Sequence, residues 1–191
     1  MRVNLARTLP RSAANGPGER FVVWVQGCPL GCPGCWNPDT WAFVRRDLRE
    51  VEDLTAEILA TEGIEGVTFT GGEPFAQARA LSLVARAVQA AGMSVFIFTG
   101  YRLEELSRPE QRALLALADV VVAGRYVDAE RTFDTPWRGS ENQQVHFLTT
   151  RYSSADMAQS AEMEIFLPPS AVPIVTGFPH PEVLVALRRG S

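Results

Sequence analysis

The chain has 191 residues, 46% of them hydrophobic and 21% charged, with a formal net charge of −4, proportions of a globular protein with one sizeable core. The acidic balance excludes an electrostatic footprint for nucleic acid or an anionic membrane. No apolar run reaches the length of a membrane span, and Met1–Ala14 carries arginines without the apolar stretch of a signal peptide, so the expected compartment is the cytoplasm, where thiols stay reduced.

Residues 1–14 show no strong periodicity, and Asn15-Gly16-Pro17-Gly18 is a turn by composition. Arg20–Gln26, rich in Phe, Val and Trp, predicts a buried strand. It delivers the chain to Gly27–Trp41, a loop that holds all three cysteines, Cys28, Cys32 and Cys35. Thiolates separated by three and then two residues can converge on one metal centre, and the intervening glycines and prolines let the backbone curl around it. Structural zinc takes four N or S donors and a ferredoxin-type [4Fe–4S] cluster four cysteines. Three thiolates on a cubane leave one iron open to a small molecule. A zinc site completed by His146 or His180, or three merely buried cysteines, are the alternatives.

Asp53 is placed to cap a helix carrying Leu54, Ile58 and Leu59, with Gly63 to end it. Val67–Thr70 predicts a short strand running into Gly71-Gly72-Glu73-Pro74, where two glycines let a ligand approach the backbone and Glu73 offers a carboxylate to an amine. Gln77–Ala91 is an amphipathic helix closed by Gly92, and Met93–Phe98 a buried strand ending in Thr99-Gly100-Tyr101. Ser107–Glu110 reads as a capping box opening a helix through Leu117, and Asp119–Ala123 as a fourth core strand. Strand, loop and helix alternate, which predicts α/β architecture with a mostly parallel sheet and ligand loops at the strands' C-terminal ends; a partial (βα) barrel is its natural closure. A polar stretch over Val127–Asn142 is long for a connection. Beyond it lie an expected strand, Val145–Thr149, a hairpin of Glu162–Leu167 with Val172–Thr176 around Pro168-Pro169-Ser170, and a short helix, Pro181–Arg188. No boundary divides residues 1–191, so one domain is expected, with a core at about 15–149 and a C-terminal extension at 150–191.

The Cys-x3-Cys-x2-Cys loop with Trp36-Asn37 and Thr40-Trp41, the Gly-Pro-Gly lead-in, Gly-Gly-Glu-Pro, Phe98-Thr-Gly-Tyr101, Asp119-Val-Val-Val122 and Trp137-Arg-Gly-Ser140 through His146 together resemble, in order, the radical S-adenosylmethionine (SAM) activators of anaerobic ribonucleotide reductase. The family's acidic residue and lysine at the fourth strand's end are replaced by Ala123 and Arg125. The resemblance implies a partial barrel of radical SAM type. It implies a [4Fe–4S] cluster on Cys28, Cys32 and Cys35, with SAM on the open iron and its amino group held by Glu73. Trp36, Asn37, Gly71, Gly72, Pro74, Thr99 and Tyr101 are the further cofactor-binding positions it points to, and the Trp137–His146 run is expected to serve recognition or closure. The implied reaction is reductive cleavage of SAM to a 5′-deoxyadenosyl radical, which takes a hydrogen from a glycine of a glycyl radical enzyme. Flavodoxin or ferredoxin is the implied electron donor. Direct action on a small molecule or peptide, favoured if the tail completes a pocket, and a noncatalytic Fe–S or zinc module are the competing readings.

Overall fold

The computed structural model describes residues 1–133, 135–167, 174–178 and 182. Four continuous apolar runs form the middle of one sheet: β2 (Arg20–Val25), β4 (Gly66–Gly71), β5 (Ser94–Thr99) and β6 (Val120–Ala123), with β2, β4, β5 and β6 paired in parallel in that order. Both faces of these strands are covered, which is why they read as unbroken hydrophobic stretches. Antiparallel strands flank them. On one side β1 (Arg2–Ser12) pairs with β2 and then β3 (Asp47–Glu50) with β1; on the other, β7 (Gln144–Phe147) pairs with β6.

The seven-stranded order is therefore β3-β1-β2-β4-β5-β6-β7, an open sheet with edges at β3 and β7. The parallel centre expected from the sequence is present. The flanking pairs are antiparallel, and residues 1–14, without visible periodicity, contribute the longest strand. Its register shifts between Leu5 and Arg7 and again between Leu9 and Ser12, and such bulges erase the two-residue repeat.

Helix α1 (Val51–Ala60) buries Val51, Leu54 and Ile58. It starts before the expected cap: Glu50, with extended backbone, is the N-cap, and Asp53 lies in the first turn, where its charge complements the helix dipole. Helix α2 (Ala78–Ala90) buries Leu81, Val84, Ala85 and Val88. It ends as expected at Gly92, whose φ of 80° lets Gly92 N–H reach Gln89 O at 2.9 Å and Met93 N–H reach Val88 O at 3.1 Å, the paired bonds of a Schellman close. Helix α3 (Pro109–Leu115) has Pro109 in its first turn; its cap is Arg108, whose N–H is met by Gln111 Oε1 at 3.2 Å, one residue later than the predicted box.

All three helices pack on one sheet face, where Val3, Leu5, Phe21, Val23, Val67, Phe69, Val95, Ile97 and Val121 meet Leu54, Ile58, Leu81, Val84, Val88 and Leu114. Side chains alternate along a strand, so the opposite face presents Val22, Trp24, Phe96, Val120 and Val122, covered by Trp137, Tyr152, Met157 and Phe166. These covering residues come from the segment after β6, which contains a short helix, α4 (Ser154–Met157), and a separate antiparallel hairpin of β8 (Met163–Phe166) and β9 (Ile174–Gly177). The predicted hairpin is thus found; its Pro168–Ser170 turn and the predicted helix over Pro181–Arg188 lie outside the described residues. Among the described residues no helix is long and apolar enough to cross a membrane.

Candidate active site

Parallel register brings the C-terminal ends of β2, β4, β5 and β6 to one edge, with Val25 beside Gly71 and Thr99 beside Ala123. The cysteine loop leaves β2 at this edge and is pinched at its base, where Gly27 N–H donates to Thr40 O at 2.8 Å and Cys28 N–H to Trp41 O at 3.0 Å. Within it Cys35 N–H closes a turn onto Cys32 O at 3.1 Å. Gly34 has φ 74°, and a Cβ there would stand 2.6 Å from Asp128 Oδ1, so the loop that follows β6 needs this glycine in order to lie against the cysteines.

Main-chain amides reach the thiols. Asn37 N–H donates to Cys35 Sγ at 3.4 Å. The amides of Leu30 and Gly31 act on Cys28, and that of Tyr126 on Cys32, although burial pushes both thiols up overall. Arg125 also favours the Cys32 thiolate; its guanidinium bonds Glu105 at 2.7 Å and, mainly through that bond, holds the Glu105 carboxyl down at about 2. Amide donors and a nearby cation suit sulfurs that carry negative charge in a cluster. Among the described residues no three His, Cys, Asp or Glu side chains are drawn together as a single metal ion needs. His146 lines a separate hollow with Arg102 and Asn142, and His180 lies outside the described residues.

The Gly71-Gly72-Glu73 turn is joined to the cysteine loop by backbone alone: Gly72 N–H donates to Val25 O at 2.8 Å and Glu73 N–H to Gly27 O at 2.9 Å. The two glycines serve this approach. A Cβ on Gly71, whose φ is 96°, would sit 2.7 Å from Trp24 Cα, and one on Gly72 would overlap Gly27 O.

Glu73 is 1% exposed. Its carboxylate accepts from Phe75 N–H at 2.8 Å, from Thr99 Oγ1 at 2.9 and 3.0 Å, and from Gly100 N–H at 3.0 Å. Burial outweighs these bonds and pushes its pKa up to about 7. Thr99 is therefore brought to Glu73, as is the backbone beside Tyr101, whose hydroxyl is pushed up by burial and then by Glu73. Pro74 opens the buried turn after Glu73. Leu30 of the cysteine loop lies against Gly100, where a Cβ would overlap it.

Beside the cysteine loop is a cavity of about 450 Å³, within the size range of small-molecule sites. Cys35, Trp36 and Asn37 line it together with Trp24, Thr70 and Phe98 of the sheet. Arg131 stacks over the Trp36 ring at 4.7 Å, and Arg7 donates to Asn37 Oδ1 at 2.8 Å. The buried Trp36 Nε1–H has no partner among the described residues. A buried, unsatisfied donor beside a cavity is the kind of group that a polar ligand completes.

The Trp137–His146 run divides. Trp137 is 1% exposed, packs on Phe96 at 5.2 Å and donates to Ser160 Oγ at 2.8 Å, while Arg138 ties its own loop through Glu141 O, Gln143 O and Thr135 Oγ1. Trp137, Gly139 and Gln143 also reach the cavity. Arg7, Asn15, Tyr126, Arg131 and Phe178 line it too; sequence reasoning missed them as site residues because they lie in separate stretches that only the fold brings to the cysteine loop.

A family model described as a 4Fe-4S single cluster domain matches residues 14–146. The chain is 35% identical over 156 residues to the anaerobic ribonucleoside-triphosphate reductase-activating protein of Vibrio cholerae, covering 77% of this chain and 99% of that one. The protein of that name from Escherichia coli K12 is 32% identical over 154 residues, covering 76% and 99%; that from phage T4 is 34% identical over 152 residues, covering 75% and 93%. Among solved structures, QueE from Escherichia coli superposes on 52% of this chain and 53% of its own with a TM-score of 0.45 and 20% identity. With the cysteine loop inside the matched span and nearly the whole of these relatives covered, the chain belongs to the family of anaerobic ribonucleoside-triphosphate reductase-activating proteins.

Proposed function

We propose that this chain activates an anaerobic ribonucleoside-triphosphate reductase by removing a hydrogen atom from one of its glycines. The observation that carries the reading is the main-chain joint between the three-cysteine loop and the Glu73 turn beside a cavity of about 450 Å³. Bound here, a [4Fe–4S] cluster with SAM supplies one-electron cleavage of SAM and hydrogen abstraction from an unactivated C–H bond. Cys28, Cys32 and Cys35 are the ligands for the cluster. Glu73 is the acceptor for the amino group of SAM, and an arriving ammonium ionises a carboxyl that burial otherwise holds near half-protonation at neutral pH. Thr99 and Gly100 aim that carboxylate, Trp36 offers its free N–H to a polar group, and Asn37, Gly71, Gly72, Pro74 and Tyr101 complete the surroundings.

The domain assignment follows the same reading: one radical SAM domain with its core at about 15–149 and an extension after it, working in the cytoplasm with flavodoxin or ferredoxin as electron donor. The extension lines part of the cavity, which is the feature a small-molecule or peptide substrate would also use. One experiment separates the two. The anaerobically reconstituted chain, given SAM, reductant and the reductase, is expected to leave a glycine-centred doublet in the electron paramagnetic resonance spectrum of the reductase. 5′-Deoxyadenosine release without that doublet would assign the chain a different substrate.

A further inference from the structure

The family match ends at residue 146, yet later residues reach the cavity. Val175, Thr176, Gly177 and Phe178 line it together with Cys35, Trp36 and Asn37. Phe178 meets the Trp36 ring edge-on at 6.4 Å and the Phe98 ring at 6.0 Å. Thr176 is 5% exposed, and its Oγ1 accepts from Asn15 Nδ2 at 2.7 Å. A glycine at the end of β9, flanked by residues that line the cavity, thus sits beside the loop where hydrogen abstraction has to occur.

The hairpin that carries Gly177 is a separate sheet: among the described residues, strands β8 and β9 pair with each other and share no ladder with the seven-stranded sheet. Their ties to the body run mainly to residues 12–15: the Glu164 carboxylate accepts from Ser12 Oγ and from Ala13 N–H at 3.1 Å, and Asn15 holds Thr176. Phe166 adds an apolar contact with Leu9, Val22 and Trp24. Outside β8, Leu167 is 75% exposed. A lone two-stranded hairpin is marginal in water, so such an element opens at low cost and leaves the main sheet whole.

We propose that the β8–β9 hairpin is an internal stand-in for the target's glycine loop, seated in the cavity until the reductase displaces it. This rests on the activase reading given above. Gly177 lacks a side chain for a reason of its own as well, since at φ 90° a Cβ would stand 2.8 Å from Met163 Cα and 2.9 Å from Ala14 Cβ. The test therefore leaves Gly177 alone and loosens the latch. While the hairpin is seated, the reductase binds only the open fraction of molecules, and its apparent affinity falls by that fraction.

In Glu164→Ala, loss of the bonds from Ser12 and Ala13 is expected to lower the half-saturating reductase concentration for radical formation about tenfold, with SAM affinity unchanged. In the unmutated protein, hydrogen–deuterium exchange at the β8 and β9 amides is expected to speed up when the reductase binds. An unaltered reductase dependence in the variant, or amides that become better protected on binding, overturns the proposal. Weakened SAM binding in the variant also overturns it, by making the hairpin a wall of the SAM pocket. If the unmutated chain cleaves SAM but raises no glycine doublet, the activase reading itself fails, an outcome distinct from equal doublets in both proteins.

Discussion

The two faces of the sheet are built differently. One is sealed by α1, α2 and α3 through a continuous apolar cluster in which Leu54, Ile58, Leu81, Val84, Val88 and Leu114 are fully buried. The other is covered by chain without long helices, uses aromatic rings and side-chain hydrogen bonds, and keeps an open cavity beside the cysteines. The helical face supplies stability; the other supplies room for chemistry. Each buried Val, Leu, Ile or Phe contributes about 1.5–3 kcal/mol, so the first face has stability to spare for polar groups and space on the second.

The sharpest way to separate the faces is Cys35→Ser. Iron content after reconstitution and SAM cleavage are both expected to be lost, while thermal unfolding of the iron-free chain moves by less than ~0.5 kcal/mol, since Cys35 is outside the core clusters. A large drop in stability would mean that the cysteine loop also holds the fold. Phe69→Ala tests the opposite face. Phe69 is 0% exposed, and its truncation should cost about 3–5 kcal/mol in urea unfolding, with no change in iron stoichiometry in the fraction that stays folded.

Glu73 joins the two faces in one residue, and its effect depends on pH. A carboxyl whose folded pKa rises from the model-compound 4.5 to about 7 binds its proton more tightly in the native state. Stability is then fully present below about 4.5 and declines as pH rises towards 7, by about 3 kcal/mol across the window. Glu73→Gln should abolish that slope in denaturant titrations of the iron-free chain from pH 4.5 to 8, and SAM cleavage with it. Parallel slopes in both proteins would show that Glu73 is ionised throughout. The smallest effect is expected from Arg138→Ala: about 1 kcal/mol of stability from its lost loop bonds, and unchanged SAM binding by equilibrium dialysis. A loss of SAM affinity there would move the loop from packing into ligand contact.

How much was readable beforehand follows the same division. The central strands and α2 were legible because full burial writes long apolar runs and a helical stripe into the sequence. The cysteine spacing pointed to the cluster loop for a chemical reason, and Glu73 emerged at a strand end next to it. Strand β3, Asp47-Leu-Arg-Glu50, was hidden because an edge strand with one exposed face is charged and short. Strand β1 was hidden by its bulges. The need of strand β2 for the missing Cβ of Gly71 and Gly72 was not legible, because closeness to a ligand and closeness to a neighbouring strand ask for the same residue. The cavity itself, assembled from Arg7, Trp24, Tyr126, Arg131 and Phe178, exists only after folding.

The cysteine loop and the acidic turn touch through amides and carbonyls, from Gly72 N–H to Val25 O and from Glu73 N–H to Gly27 O. Every non-proline residue carries those groups. A substitution that leaves those main-chain bonds and the missing Cβ atoms of Gly71 and Gly72 in place does not alter the spacing of the cysteine loop and the carboxylate. Any shear of β4 against β2, in contrast, reaches both at once.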